Sequence, residues 1–150
     1  MLKRVMVQAG MLLSFAVVAH AAPQVTFDPA SGVMSLSNNG AAGIAAVGIE
    51  LTYNPARMNK PNVTIGSAAT QAGKQLVTSS PAPGKLRVGI IGYNATTIAD
   101  GALAVIQSAK QPTAAGAASV SYHVTASTIE GTEIELDEAN TPSSLNFSNL

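Results

Sequence analysis

From Ala22 onward the chain is built of short runs in which apolar and polar residues alternate, and clusters of Gly, Pro, Asn or Ser break them every ten residues or so. Such alternation gives a strand one apolar and one wet face, and the regular breaks suggest an all-β sandwich or barrel. The clearest run is "AVGIELTYNPARM", Ala46 to Met58. Val47, Ile49, Leu51 and Tyr53 share one face, while Gly48, Glu50 and Thr52 share the other. Pro55 ends the run because proline has no N–H to give to a ladder. In "GKLRVGIIGYN" the inward residues are Leu86, Val88 and Ile90, with Lys85, Arg87, Gly89 and Ile91 opposite them. "IADGALAVIQSAK" is expected to turn Leu103 and Val105 inward and Ala104 and Ile106 outward or to an edge. "AASVSYHVTAS" buries Val120, Tyr122 and Val124 and shows Ser121, His123 and Thr125 to solvent. "QVTFDPASG" reads as a strand into a turn made by Asp28, Pro29 and Gly32, and "VMSLSNNGAAG" as a strand into a loop. Shorter strands at Val63–Ile65 and Gln75–Thr78, with "TEIELD" and "SLNFS", bring the count to roughly eight or nine.

The first residues stand apart. A basic "MLKR", an apolar "VMVQAGMLLSFAVV" and an "AHA" of small residues around His20 have the layout of a secretory leader, with cleavage expected between Ala21 and Ala22. The apolar run is short of the ~20 residues that a helix needs to span a bilayer. The expected organisation is therefore a leader over 1–21 and one domain over 22–150, secreted or periplasmic in a bacterium. A domain of that size can bury a sizeable core without disulfides, and the chain has no cysteine. Eight basic residues face eight acidic ones overall, and Lys3 and Arg4 leave with the leader, so the mature balance is −2. That charge offers no footprint for nucleic acid and no basic patch for an anionic membrane.

Catalytic chemistry is scarce. After the leader there is one histidine, His123, in mid-strand on a polar face, where a serine triad would need it as base. No HxH or HExxH spacing suggests a metal, and no glycine pattern suggests a phosphate cradle. Glu133 and Glu135 share one side of "TEIELD", with Asp137 and Glu138 beyond. A carboxylate pair can run glycoside hydrolysis, but alternating Glu on an outer strand face is more simply a solvated edge. Asn62, Asn94 and Asn146 match the glycosylation rule, as chance allows in a chain rich in Ser and Thr. No catalytic residue, cofactor or metal ligand is assigned.

Four segments, in order, carry a resemblance: "VGIELTYNPARM", "PGKLRVGIIGYN", "IADGALAVIQSAK" and "STIEGTEIEL". Together they resemble a cohesin domain, whose strands carry a similar "LxYDP" end, a "GKxRV" run and a "DGxLAxIxF" run. The resemblance covers roughly Val25 to Phe147. It implies a nine-stranded jelly-roll β-sandwich, akin in architecture to some carbohydrate-binding modules. It also implies binding rather than catalysis: cohesins hold dockerins, small calcium-dependent helical modules attached to polysaccharide-degrading enzymes. In the family the contact uses one outer sheet face, to which strands matching Val47–Tyr53, Leu86–Ile91 and Leu103–Ile106 contribute. Carried over by position, the partner-binding residues are Glu50, Thr52, Lys85, Arg87, Ile91, Ala104 and Ile106. Two departures stand out: the family's "YDP" aspartate is Asn54 here, and its late "GFAD" segment is "TASTIEGTE". The alternatives are a polysaccharide-binding module of the same architecture and an envelope assembly subunit joined through edge strands.

Overall fold

The computed structural model describes residues 21–108, 118–137 and 144–147. The expected leader apart from Ala21, the "PTAAGA" stretch and Glu138 lie outside the described residues, as does the side chain of Asn146. The strands are β1 (Gln24–Asp28), β2 (Val33–Ser37), β3 (Ala46–Tyr53), β4 (Asn62–Ile65), β5 (Gln75–Ser79), β6 (Lys85–Ile91), β7 (Gly101–Gln107), β8 (Ala118–Ser127), β9 (Glu133–Ile134) and β10 (Ser144–Phe147). One short helix, α1 (Ser67–Gln71), lies between β4 and β5. Two antiparallel sheets result, ordered β1-β2-β7-β4 and β10-β8-β3-β6-β5, with β9 pairing β8. Of the all-β sandwich or barrel expected from the alternation, the sandwich is the observed architecture.

The core lies between the sheets. Met34, Leu36, Leu103 and Ile106 come from one, and Ile49, Leu51, Leu86, Ile90 and Val120 from the other. Each large side chain fully buried here stabilises the fold by about 1.5–3 kcal/mol relative to exposure. In β3 and β6 the burial follows the sequence pattern residue for residue, with Val47, Ile49, Leu51, Leu86, Val88 and Ile90 inward. Tyr53 is half-buried and packs against the core.

Helix α1 was not legible in the sequence. Five residues are too few for a 3.6-residue period to show, and its N-cap Gly66 makes no side-chain cap. Tertiary contact holds it instead: Ala68, Ala69 and Ala72 are buried, and Gly66 N–H donates to the Leu103 carbonyl at 2.8 Å.

The β1–β2 turn does follow the expected chemistry. The Asp28 carboxylate accepts from Ala30 N–H at 3.0 Å and from the Ser31 hydroxyl at 2.6 Å, and these bonds hold its pKa below the usual carboxylate range. Gly32 has φ +73°, and a Cβ there would run into the Ile106 carbonyl. Only glycine meets both demands.

Strand β7 departs from expectation. It pairs with β2 and β4, so it belongs to the sheet opposite β3 and β6. Its register against β2 shifts between Met34 and Ser35: Met34 faces Ala104 but Ser35 faces Ala102, leaving Leu103 as the extra residue of a bulge. The bulge resets the alternation. Leu103 is buried as expected, but Ala104 and Ile106 are buried too, at 0% and 1% exposure, while Val105 is only half-buried. The outward placement of Ala104 and Ile106 is therefore corrected: both are core residues.

A polar knot ties the loop after β2 to the loop before β7. Buried Asn39 accepts from Ile44 N–H at 2.9 Å and donates to the carbonyls of Ile98 and Ile44. Asp100 accepts the backbone N–H groups of Asn38 and Asn39 at 3.1 and 2.8 Å. Asn38 has φ +61°, which asparagine tolerates better than most residues.

Tyr122 points inward from β8, and its hydroxyl oxygen is buried with no hydrogen-bond partner. Burial pushes its pKa up to about 12. An unfolded tyrosine ionises near pH 10, so stability falls as pH rises from about 10 towards the folded value. Tyr122→Phe removes an unpaired buried hydroxyl and is expected to match or exceed the parent in urea midpoint at pH 7. It should also lose less stability between pH 9 and 11, which a pair of denaturation curves would show.

Candidate functional site

The outward face of β8-β3-β6-β5 is a grid whose rows are read from the strand register. Ser121, Thr52 and Lys85 form one row. His123, Glu50, Arg87 and Ser79 form the next, followed by Thr125, Gly48, Gly89 and Val77. Alternation puts these residues outward because their neighbours Ile49, Leu51, Leu86 and Val88 fill the core.

The middle row carries the charge. Arg87 Nε donates to Glu50 Oε2 at 2.9 Å, and Lys85 Nζ lies 3.6 Å from Glu50 Oε1. The Arg87 hydrogen bond, followed by the coulombic pull of Arg87 and Lys85, holds the Glu50 carboxyl below the usual carboxylate range. The pairing is complete above the ordinary glutamate pKa and is lost as pH falls through the lower folded value. Two cations thus share one carboxylate, and the cluster carries a net positive charge at neutral pH. His123 faces Glu50 from the β8 side.

The glycine row makes a notch. A Cβ at Gly48 would stand 2.7 Å from Thr125 Oγ1, and one at Gly89 would stand 2.9 Å from Val77 Cγ2. A shallow hollow of about 220 Å³ lies over Gly48, Glu50, Arg87, His123 and Thr125, and another of about 310 Å³ over Val77, Ser79, Arg87 and Gly89. The apolar wall is unusual for a solvated sheet, with Val77 48% and Ile91 44% exposed.

Of the seven residues assigned to the binding surface, Glu50, Thr52, Lys85, Arg87 and Ile91 do share this face. Ala104 and Ile106 do not; they lie in the core on the other sheet. Sequence reading put Gly48, Gly89, His123 and Thr125 on outward faces but could not tell which strands are neighbours, so it did not gather them into one site. It missed Val77, whose short strand sits at a sheet edge beside β6.

Next to the face, Tyr93 is fully exposed on a loop anchored by Asn94. Asn94 Nδ2 donates to the carbonyls of Ala72 and Gly73, both at 3.1 Å, and Oδ1 accepts from Lys74 Nζ at 2.8 Å and Thr96 N–H at 3.1 Å. Burial pushes the Lys74 ammonium's pKa down. An amide nitrogen so engaged is a poor glycan acceptor. Asn54 works locally as well: its side chain accepts from Ala56 N–H at 2.9 Å and closes the turn at Pro55 without needing the aspartate charge. Glu133 and Glu135 are exposed, the former on two-residue β9. Among the described residues no cluster of His, Cys, Asp and Glu could hold a metal, and no helix is long and apolar enough to cross a membrane.

No family model matches the sequence, and no curated protein matches it. Solved structures do. The sixth cohesin of scaffoldin B from Acetivibrio cellulolyticus, solved with a Cel5 dockerin, superposes with a TM-score of 0.65 at 20% identity, covering 85% of this chain and 100% of that one. The fold is that of a cohesin. A Clostridium thermocellum OlpA cohesin, also solved with a dockerin, gives 0.63 at 10% identity, covering 84% and 97%. A non-cellulosomal cohesin from the archaeon Archaeoglobus fulgidus gives 0.57 at 13%, covering 84% and 91%. At these identities the cohesin likeness is one of fold.

Proposed function

We propose that this cohesin-like domain is a secreted, non-catalytic binding module that docks a protein on the outward face of β8-β3-β6-β5. The observation that carries the reading is the face itself: exposed, with two cations sharing Glu50 beside the exposed apolar side chains of Val77 and Ile91. A mixture of small apolar residues and a few charges suits an interface of about 800 Å² per partner. Arg87 stands at its centre and is the best-placed hot spot, since a guanidinium both stacks and forks its hydrogen bonds. The solved cohesins held in complex with dockerins support a dockerin as the partner; that this dockerin is calcium-loaded and belongs to a polysaccharide-degrading enzyme is part of the proposal.

The test uses the domain from Ala22 as bait against the organism's own secreted proteins, with and without a calcium chelator. Capture of a dockerin-bearing protein, lost on chelation, is expected. Arg87→Glu is expected to abolish that capture while lowering the unfolding midpoint only modestly, because it sets a second carboxylate opposite Glu50 on an exposed face where Lys85 remains beside it. Capture unchanged in Arg87→Glu would move the docking surface elsewhere. Capture indifferent to chelation would mean another class of protein partner, and an empty bait would turn the reading towards polysaccharide.

A further inference from the structure

Three of the large apolar side chains left exposed among the described residues, Val77, Ile91 and Tyr93, gather at one edge of the sandwich. Val77 sits on β5 opposite Gly89, and Ile91 is two residues further along β6. Tyr93 follows on the loop that Asn94 ties to the Gly73 carbonyl, just before β5 begins. Apolar surface gathered in this way marks contact with another molecule, whereas single scattered residues need no explanation.

The backbone at this edge is open as well. β5 ends the order β10-β8-β3-β6-β5 and, among the described residues, pairs only with β6. Alternate residues of a strand turn their N–H and C=O groups to opposite sides, so β5 presents an unpaired row beyond the sheet. Soluble proteins guard such an edge with a lysine, a proline or a bulge. β5 has none of these: "QLVTS" is uncharged, its register against β6 runs unbroken from Gln75 to Ser79, and four of its five residues are exposed. The edges of the other sheet are guarded. β4 is preceded by Pro61 and closed by Gly66 and α1. β1 runs into the Asp28 turn, and the Pro23 carbonyl before it accepts Asp137 N–H.

The strand is complementary to itself. Laid antiparallel against a second copy about a two-fold axis at Val77, it sets Gln75 opposite Ser79, Leu76 opposite Thr78 and Val77 opposite its own counterpart. No like charges meet in that register, and a β-branched apolar pair occupies its centre. Lys74, the charged residue next to the strand, is buried and donates to Asn94, so it does not repel its counterpart.

We propose that the protein forms a two-fold dimer in which β5 pairs with β5 of a second copy, so that one sheet runs through both. Paired residues share a face, so the outward faces of the two copies lie on the same side of the joint sheet. The row His123, Glu50, Arg87 and Ser79 of one copy then continues into Gln75 and Ile91 of the second. Three strand spacings, about 14 Å, separate Arg87 from that Ile91. Each charged row thereby acquires an apolar end that one copy alone does not place in it. The dimer holds whatever docks on the face. A strand pair this short buries less than the ~800 Å² per partner of a standard interface, so dimerisation is expected at roughly 100 µM.

Sedimentation equilibrium of the protein at concentrations up to about 1 mM reads the association directly. Val77→Lys and Val77→Glu each set like charges face to face at the axis, and each alone is expected to raise the dissociation constant at least tenfold. An equimolar mixture of the two should recover the dimer as a Lys–Glu pair, the signature of residue 77 meeting itself. Circular dichroism checks that both variants keep the parent's strand signal. Because the chain has no cysteine, Val77→Cys gives an independent readout should either charged variant fail to fold. On mild oxidation it is expected to cross-link to its counterpart at least tenfold faster than Gln75→Cys, which the two-fold holds four residues from its own copy. A parent that stays monomeric throughout would overturn the proposal. So would dimers indifferent to both charges, dimers that mixing does not restore, or equal cross-linking at positions 75 and 77. Open-ended oligomers would mean a head-to-tail contact between two different edges, and would overturn it too.

Discussion

Asn39→Asp is expected to cost about 3 kcal/mol or more of stability at pH 7, among the largest effects of any single isosteric change in this chain. The reason is the direction of the hydrogen bonds. Asn39 Nδ2 donates to the carbonyls of Ile98 and Ile44, while Oδ1 accepts from Ile44 N–H. A carboxylate keeps the second role and reverses the first, setting an anionic oxygen against two carbonyl oxygens. It also places that charge beside Asp100, which already holds the backbone N–H of residue 39. The introduced carboxyl therefore has a folded pKa raised above its unfolded value of about 3.9. The sign follows: the folded state keeps the proton that the unfolded state releases, so the deficit grows as pH rises through that window and is smallest below it. Asn39→Ala supplies the contrast. It strands the Ile98 carbonyl and the Ile44 N–H without adding charge, costs about 2 kcal/mol, and shows no such pH dependence. Urea midpoints at pH 4 and pH 7 separate the two, and equal deficits for Asn39→Asp at both pH values would show that position 39 is not enclosed as described. The loss would reach the rest of the domain through this knot, which joins the loop into β3 to the loop into β7.

Much of the candidate face is legible in the sequence. Strict alternation in β3 and β6 fixed which side chains point out, since a slip of one residue would have turned Ile49, Leu51, Leu86 and Val88 to water. The pairing of Glu50 with Arg87 was not legible, because cross-strand neighbours depend on register and the two residues are 37 apart in the chain. Helix α1 was hidden by its brevity. The knot was hidden because Asn39 and Asp100 sit in glycine-rich, loop-like stretches whose composition reads as solvent-facing turns, although Asn39 is buried. β7 was misread for a physical reason. Period-two reasoning assumes an unbroken pleat, and the bulge at Leu103 inserts one residue that no propensity scale marks. The strand's neighbours then decide its sheet, and β2 and β4 place it in the sheet opposite β3 and β6.

That correction gives the second large prediction. Were Ala104 and Ile106 on the proposed docking face, Ile106→Glu would act like Arg87→Glu, with capture lost and stability largely kept. The structure demands the reverse. Ile106 is 1% exposed between the sheets, its N–H bonded to the Gly32 carbonyl at 2.8 Å, and no cation among the described residues of β7 could pair with a glutamate there. Burying that carboxyl without a partner is expected to cost about 4 kcal/mol or more, enough to deplete the folded state of a domain whose whole stability is of order 5–15 kcal/mol. Circular dichroism and soluble yield read this directly. Ile106→Val is the informative companion, because it removes one methylene, costs about 1 kcal/mol and leaves the fold intact. Since Ile106 reaches the core from the opposite sheet, Ile106→Val should leave partner capture at the parent's level. A folded Ile106→Glu protein that merely stopped binding would return β7 to the proposed docking face and undo the sheet assignment on which that proposal is built.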